Sequence, residues 1–123
     1  MDGTDGTPVP ALPGEVRAAL RARIAAGRLE TWLTGPAGRS LAFVTNTERA
    51  MVVLLEHPGD PGEHAVDPSA GPDDESDGFE LANGQCDEYP DRDTVPLDRA
   101  LRIVEHLVTG GSWPADAAWV ADR

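Results

Sequence analysis

The feature that most constrains the fold is a run of apolar residues at helical spacing near the end of the chain. The residues that share this spacing are Leu97, Leu101, Ile103, Val104, Leu107 and Val108. Recurrence every three or four positions places them on one face of a helix. Thr94 is predicted to cap this helix, Pro96 to open it and the glycine pair at 110–111 to end it. A helix with one apolar face has to bury that face against another element.

The middle of the chain supplies short segments with the patterns of β-strands. Residues 29–34 and 40–45 have the composition and alternation of strands, and each is followed by turn residues. The unbroken apolar run at 50–55 predicts a central strand that is covered on both faces. Residues 63–66 predict a short strand within the long connection that spans residues 57–77.

The first part of the chain predicts a tail and a helix. Apolar residues recur at every fourth position between Val16 and Ile24, which predicts a short amphipathic helix that ends at Gly27. Residues 1–13 contain glycine and proline clusters and no apolar periodicity, so we expect a disordered tail there. Residues 14–123 have the length of one domain.

An Asn-Gly pair at residues 83–84 predicts a β-hairpin in the second half of the chain. Both residues tolerate positive φ, so they favour a two-residue type I′ turn between strands at 78–82 and 85–89. In this hairpin Phe79 and Leu81 are expected to face the core, and Glu80 is expected to point to solvent. Cys86 is expected to pack as a small buried residue.

Together these elements predict an α+β fold. It contains an antiparallel sheet of about five or six strands, with an N-terminal helix and a C-terminal helix packed on one face. Trp113 and Trp119 follow the last predicted helix, and we expect both to dock against the sheet.

The acidic residues of the chain are concentrated in one segment. The formal net charge is −12, and residues 51–93 hold 13 acidic residues against the single base Arg92. Phosphate binding requires clustered Lys or Arg, so nucleic acid and anionic membranes are excluded as direct partners. A basic protein is a suitable partner, because opposite charges steer the encounter. The alternative is an acidic face that only keeps the protein in solution.

The residues that carry chemistry do not form a catalytic or metal-binding pattern. Cys86 has no histidine at a spacing that favours a nucleophile–base pair. Residues 73–78 resemble the first half of a calcium loop, but Gly84 stands where a bidentate Glu is required. Phosphate-loop, dinucleotide-binding and nucleophile-elbow motifs are absent. We therefore expect a protein without a cofactor that is not an enzyme.

The sequence also predicts a cytoplasmic location. No run of about 18 apolar residues is present, and the first 13 residues lack the basic start and apolar stretch of a signal peptide. A single cysteine, Cys86, suits a reducing compartment.

The second half of the chain resembles a known family. Residues 78–90 (GFELANGQCDEYP) precede the sequence TVP at 94–96 and the apolar helix, and Gly111, Trp113-Pro114 and Trp119 come after the helix. The upstream residues 50–55 and 62–68 (GEHAVDP) fit the same pattern. This combination, over roughly residues 30–120, resembles the first family in the numbered series of immunity proteins from bacterial polymorphic toxin systems.

The resemblance implies a protein that neutralises a toxin encoded next to it, commonly a toxin of the deaminase superfamily. Such toxins deaminate bases in nucleic acid with a zinc-activated water and a glutamate. A toxin of this kind must be basic around its cleft, so an acidic surface can cover that cleft as a charge mimic. The resemblance also implies a mostly β domain with a tryptophan near its end, which Trp119 matches.

We therefore predict a partner-binding surface made of the acidic segment and the hairpin. Its candidate residues are Glu63, Asp67, Asp73, Asp74, Glu75, Asp77, Asn83, Gln85, Asp87, Glu88 and Tyr89. The alternative binding function is that of an acidic adaptor or inhibitor of another basic, nucleic-acid-acting protein. A small hydrolase or a calcium-dependent module built on the acidic loop is the alternative from a different class.

Overall fold

A computed structural model describes residues 13–34, 39–57, 59–81 and 83–122, and the structure has the predicted α+β class. Its elements in chain order are α1 (Pro13–Ala25), β1 (Glu30–Thr34), β2 (Ser40–Thr45), β3 (Arg49–Leu55), β4 (Glu63–Ala65), β5 (Glu75–Glu80), β6 (Cys86–Pro90), a 3₁₀ turn (Asp91–Asp93), β7 (Val95–Pro96), α2 (Leu97–Gly110) and β8 (Trp119–Ala121). The predicted tail, residues 1–13, lies outside the described residues except for Pro13. None of the described helices is long and apolar enough to cross a membrane.

Within the described residues, six strands form one antiparallel sheet. Its order is β1-β2-β3-β4-β8, and β7 also pairs with β3. The strands β5 and β6 pair only with each other and form a separate hairpin. The register places Phe43 of β2 between Thr31 of β1 and Val52 of β3, so these side chains share one face of the sheet.

The two helices pack on that face and enclose the main core. The helix α2 contacts α1, β3 and β7, and its predicted apolar face supplies the buried residues Ala100, Leu101, Ile103, Val104 and Leu107. The helix α1 contributes Val16 and Leu20 to the same core. Two ion pairs, Arg17–Glu105 and Arg21–Asp98, join the helices at the surface. Burial of complete Leu, Ile and Phe side chains stabilises such a core by about 1.5–3 kcal/mol each.

The hairpin of β5 and β6 covers part of the opposite face. Because it contacts β2, residues 41–45 of that strand are all buried, including Ala42 and Val44 on the side away from the helices. The strand β3 is central, as predicted, but its burial alternates, and Met51, Val53 and Leu55 are only half-buried. The prediction of a doubly covered strand at 50–55 was therefore wrong in position, since β2 is the strand with both faces covered.

The ends of α2 differ in how well the sequence predicts them. Gly111 ends the helix as expected, with φ +79 and a hydrogen bond of 3.0 Å from its amide to the carbonyl of Leu107. The prediction of Thr94 as the cap was wrong. The helix begins at Leu97 after Pro96, with no side-chain cap, and the buried Thr94 accepts a hydrogen bond from Arg49 at 2.7 Å.

The tryptophans after α2 dock as a pair. Trp113 packs partly buried against the core, and its Nε1 donates to Glu63 Oε1 at 2.9 Å. Trp119 lies in β8 opposite Ala65 and stacks on Trp113, with ring centroids 5.8 Å apart and an interplanar angle of 7°. Trp119 remains 44% exposed because it covers the outer side of Trp113 and is not itself covered.

The predicted hairpin is present, but its turn lies one residue earlier than expected. The amide of Gly84 donates to the carbonyl of Leu81 at 2.9 Å, and the amide of Leu81 donates to the carbonyl of Gln85 at 2.7 Å. Leu81 and Gln85 therefore close the loop, and the Gln85 amide donates to the side chain of Asn83 at 3.0 Å. The prediction of a two-residue type I′ turn was wrong, because the strands close at Leu81 and Gln85, and Gly84, with φ +88, is the last residue of the loop.

The prediction that Cys86 is buried was also wrong. Cys86 pairs with Glu80, whereas the buried Phe79 pairs with Asp87. Side chains of paired residues lie on the same face, so Cys86 shares the outer face of the hairpin with Glu80 and is exposed.

Arg49 at the start of β3 links its own strand to Asp67, to Asp91 of the 3₁₀ turn and to Thr94. Its Nη2 donates to Asp67 Oδ2 at 2.7 Å and to the carbonyls of Asp91 at 3.0 Å and Thr94 at 3.1 Å. Asp67 is only 4% exposed and also accepts hydrogen bonds from the hydroxyl and amide of Ser69 at 2.6 and 3.1 Å. Burial alone would raise the pKa of Asp67, but the hydrogen bonds of Ser69 and Arg49 and the charge of Arg49 hold it below its ordinary value.

Replacement of Arg49 by Ala should lower the free energy of unfolding by about 3 kcal/mol or more, because it leaves the Asp67 carboxylate buried without its cation. The control is Arg102→Ala, which breaks the exposed pair with Asp116 and should cost less than about 1 kcal/mol. Chemical denaturation at neutral pH measures both. A loss at Arg49 no larger than at Arg102 would show that the buried pair does not hold these segments.

His64 of β4 bridges two carboxylates near the end of the chain. Its Nδ1 lies 2.8 Å from Asp122 Oδ2 and its Nε2 lies 3.0 Å from Asp93 Oδ1. Burial alone would lower the pKa of His64, but the hydrogen bonds to Asp122 and Asp93 and their negative charges raise it above the ordinary 6.5. The protonated ring therefore ties β4 to the 3₁₀ turn and to the residue after β8.

The raised pKa of His64 predicts that stability depends on pH in a defined direction. The stabilisation is complete below the ordinary pKa of about 6.5 and is lost as the pH rises through the higher pKa of the folded state. The measurement is the denaturation midpoint between about pH 6 and pH 9. His64→Gln should remove this decline, and His106→Gln, which alters an exposed histidine, should keep it. Parallel curves for wild type and His64→Gln would refute the role of the bridge.

Candidate protein-binding surface

The exposed acidic residues of β5, β6 and the turn between β2 and β3 surround a shallow cleft of about 390 Å³. The residues that line the cleft are Asn46, Glu48, Glu75, Ser76, Asp77 and Glu88. We call this feature the acidic cleft. Four of the six lining residues are carboxylates and none is a base, so the cleft presents one sign of charge.

The β2–β3 turn is held in place at the cleft by Asn46. Its Oδ1 accepts hydrogen bonds from the amides of Glu48 at 3.0 Å and Arg49 at 2.7 Å, which closes the turn as Asn side chains commonly do. Its Nδ2 donates to the carbonyl of Asp77 at 2.9 Å. Thr47 in the same turn has φ +79, which is unfavourable for a β-branched residue. Glu48 is thus presented beside β5 by a strained turn.

A β-bulge in β5 separates the buried and exposed residues of the hairpin. The register shifts by one residue between Ser76 and Phe79, and Gly78 within this interval has φ +82. In a regular strand Asp77 and Phe79 would point to the same face. The bulge breaks this alternation, so Phe79 is completely buried while Asp77 stays exposed.

The start of β5 is fixed from the side by the residues around Arg49. The carbonyl of Asp74 accepts a hydrogen bond from the amide of Asp91 at 2.8 Å, and the hydroxyl of Ser76 donates to the carboxylate of Asp91. Arg49 Nε lies 3.8 Å from the same carboxylate of Asp91. The single arginine therefore supports the scaffold of the acidic cleft without entering it.

The carboxylates of the acidic cleft have no cationic partner among the described residues. In the described part of the chain, Glu48, Glu75, Asp77 and Glu88 make no ion pair, and Glu48, Glu75 and Glu88 accept no side-chain hydrogen bond. Like charges that share a cleft repel one another, and a cation placed between them would be attracted by all four. The acidic cleft can therefore attract a basic group of another molecule.

Two of the predicted site residues lie away from this surface. Asp67 is buried in its pair with Arg49, and the half-buried Glu63 accepts the hydrogen bond of Trp113. Both carboxylates are occupied inside the protein. They stabilise the fold near the acidic cleft, and neither is free to meet a partner.

The remaining predicted residues lie together on the hairpin and the turn before it. Those that are exposed are Asp73, Asp74, Glu75, Asp77, Asn83, Gln85 and Glu88, and those that are half-buried are Asp87 and Tyr89. Asp74 closes the turn at residues 71–74 through a hydrogen bond of 3.2 Å from its amide to the carbonyl of Gly71. Glu88 shares the outer face of β6 with Cys86, whereas Asp87 and Tyr89 share the opposite face with Phe79.

Tyr89 is the aromatic residue of this surface. Its ring packs edge-to-face on Phe79 at 4.9 Å, and its hydroxyl donates to Asp87 Oδ2 at 3.2 Å. Asp87 also accepts a hydrogen bond from the side chain of Gln85 at 2.8 Å. Burial, the hydrogen bond to Asp87 and the charges of Asp87 and Glu30 all raise the pKa of Tyr89 above its ordinary value. Tyr89 is therefore a neutral, half-buried ring at the edge of an acidic patch.

Sequence reasoning missed three residues of the surface. Asn46 and Glu48 are far from the acidic segment in sequence, and only the pairing of Asn46 with Asp77 brings them to the cleft. The sequence shows that the turn between β2 and β3 is polar, but it does not show that this turn lies beside Asp77. Glu80 is exposed beside Cys86; the alternation of its strand indicated a solvent-facing side chain, but Glu80 was not included in the predicted surface.

The surface does not have the form of a calcium loop. Residues 75–80 are extended in β5, whereas a calcium loop winds around the ion. In the ranges that the structure describes, no group of three or more His, Cys, Asp or Glu side chains is arranged to hold a metal ion. What the surface offers is negative charge, a few hydrogen-bond acceptors and one aromatic ring.

Comparison of the chain with protein-family models and with curated proteins gives no match in either case.

Proposed function

We propose that this protein is an immunity protein that binds and neutralises a cognate polymorphic toxin, a nucleic-acid deaminase, in the cytoplasm. The acidic cleft and the hairpin around it cover the basic substrate cleft of the toxin. Binding is stoichiometric, the protein performs no reaction, and it has no direct contact with nucleic acid or membrane.

The observation that carries this proposal is the acidic cleft, whose four carboxylates make no ion pair with any residue that the structure describes. A toxin that acts on nucleic acid has Arg and Lys side chains along its substrate channel to hold phosphates. Carboxylates that converge on one cleft can receive one or two of these side chains. The toxin's cations then lose water but regain charged hydrogen bonds, which are stronger than neutral ones.

The position of the acidic cleft also supports a binding role. The hairpin of β5 and β6 is attached to the sheet through Phe79 and to the scaffold through Asp91, while its outer face has no cover in the described structure. A surface that is rigid before binding loses little conformational entropy on association. Tyr89 can add the apolar contact that charge alone does not supply.

Co-expression with the toxin domain encoded beside it tests the proposal. We expect growth rescue and a one-to-one complex that co-purifies. The double variant Glu75→Gln/Glu88→Gln should weaken rescue and raise the Kd at least about tenfold, because two charged hydrogen bonds are lost. The matched control, Glu56→Gln/Asp98→Asn, removes the same charge from surface pairs with Arg39 and Arg21 and should behave as wild type.

Each outcome of this experiment has a clear meaning. Equal weakening by both double variants would show that only net charge matters and that the acidic cleft is not the contact. Failure to rescue a toxin domain that is lethal alone, with no complex formed, would refute the immunity function. Capture of a different basic, nucleic-acid-acting protein through the same cleft would then favour the adaptor function.

Ionic strength should affect the two rate constants of binding unequally. Charge steering acts while the partners are apart, so added salt should slow association much more than it speeds dissociation. Surface plasmon resonance between about 50 and 500 mM salt measures both rates, since the Debye length falls several-fold over this range. Similar changes in both rate constants would contradict steering by the acidic cleft.

A further inference from the structure

A second cleft, of about 370 Å³, lies beside α2 and differs in chemistry from the acidic cleft. Arg99 and Arg102, one turn apart on α2, line one side, and Asp116 lies across from them. The half-buried Val66, Ala117 and Ala118 supply its accessible apolar lining. We call this feature the arginine cleft. Its volume is at the lower end of the range for small-molecule sites.

Arg102 is held rigidly at the arginine cleft. Its Nη1 and Nη2 donate to the two carboxylate oxygens of Asp116 at 3.1 and 3.0 Å. This two-point contact fixes the plane of the guanidinium. The guanidinium uses two of its five N–H groups in this pair, which leaves donors for another acceptor.

Arg99 has an unfulfilled capacity to donate hydrogen bonds. Its Nη1 is 3.7 Å from Asp67 Oδ1, which is too far for a hydrogen bond. Both oxygens of Asp67 already accept hydrogen bonds from Ser69 and Arg49. Among the residues that the structure describes, Arg99 therefore makes an ion pair but no hydrogen bond, and its side chain is 44% exposed at the mouth of the cleft.

The charges of the arginine cleft match a ligand with one negative charge. Two arginines and Asp116 give a local charge of +1 in a chain whose net charge is −12. A phosphate carries about −1.5 to −2 at neutral pH and would leave excess negative charge beside Asp116. A carboxylate is a monoanion whose two oxygens fit the planar donors of arginine.

We propose that the arginine cleft binds the carboxylate of a small organic acid, with the carboxylate on Arg99 and a short apolar chain against Val66 and Ala117. Arg102 and Asp116 form the fixed wall that sets the orientation of the ligand. This site does not depend on the proposed function, because no residue of the acidic cleft takes part in it.

The experiment is a titration of the protein with sodium butanoate at constant ionic strength, followed by amide and methyl NMR shifts. We expect saturable shifts that centre on Val66, Ala117 and Ala118. Butanamide has the same shape without the charge and should bind at least about tenfold more weakly, and so should inorganic phosphate.

Arg99→Gln should weaken butanoate binding by about tenfold or more. It should keep the melting temperature near that of wild type, because Asp67 retains its bonds to Arg49 and Ser69. The matched control is Arg28→Gln, which removes the same charge from an exposed arginine outside the cleft and should leave binding unchanged. Absent or non-saturable shifts, equal binding of butanamide, tighter binding of phosphate, or equal loss in the two variants would each overturn the proposal.

Discussion

The pairing of Arg49 with Asp67 is the interaction on which the rest of the structure depends. Thirteen acidic residues follow β2 and β3 with one base among them, so their segment cannot neutralise itself. Arg49 reaches it from the preceding strand and contacts Asp67, the carbonyl of Asp91 and both oxygens of Thr94. A guanidinium can do this because it carries five donors in one plane. The strand β5 is then placed through Asp91, and α2 begins after the two residues of β7 that follow Thr94.

The sequence predicted the elements whose signals are local. Periodicity identified α1 and α2, and alternation, an apolar run or the Asn-Gly pair identified β1 to β6, because side-chain direction repeats within each element. The short strands β7 and β8 carry no such signal and were not predicted. It could not show that Asp67 and Glu63 point inward, since their partners Arg49 and Trp113 are distant along the chain. Thr94 had the composition of a cap but was drawn into the hydrogen bonds of Arg49. The hairpin turn and the exposure of Cys86 depended on a register that the Asn-Gly pair alone does not determine.

Charge is divided between two separate surfaces. The acidic cleft gathers carboxylates from β5, β6 and a turn far away in sequence, so it exists only in the folded chain. The arginine cleft lies on the helical side, where α2 presents Arg99 and Arg102 beside an apolar lining. Asp67 lies between the two clefts, and Arg49 neutralises its charge. The buried Arg49–Asp67 pair therefore separates the negative acidic cleft from the positive arginine cleft. One small domain can thus present opposite signs to different ligands.

The short strand β8 has a consequence for how the protein reaches this structure. It pairs with β4 from Ala65 to Trp119, across roughly fifty residues of chain, whereas β1, β2 and β3 form successive hairpins. Contacts between distant residues close after local ones, so the outer edge of β4 stays open longest during folding. An open strand edge recruits strands from other molecules. Until β8 docks, β4 therefore presents an open edge, and once β8 has docked it becomes the outer strand of the sheet in its turn.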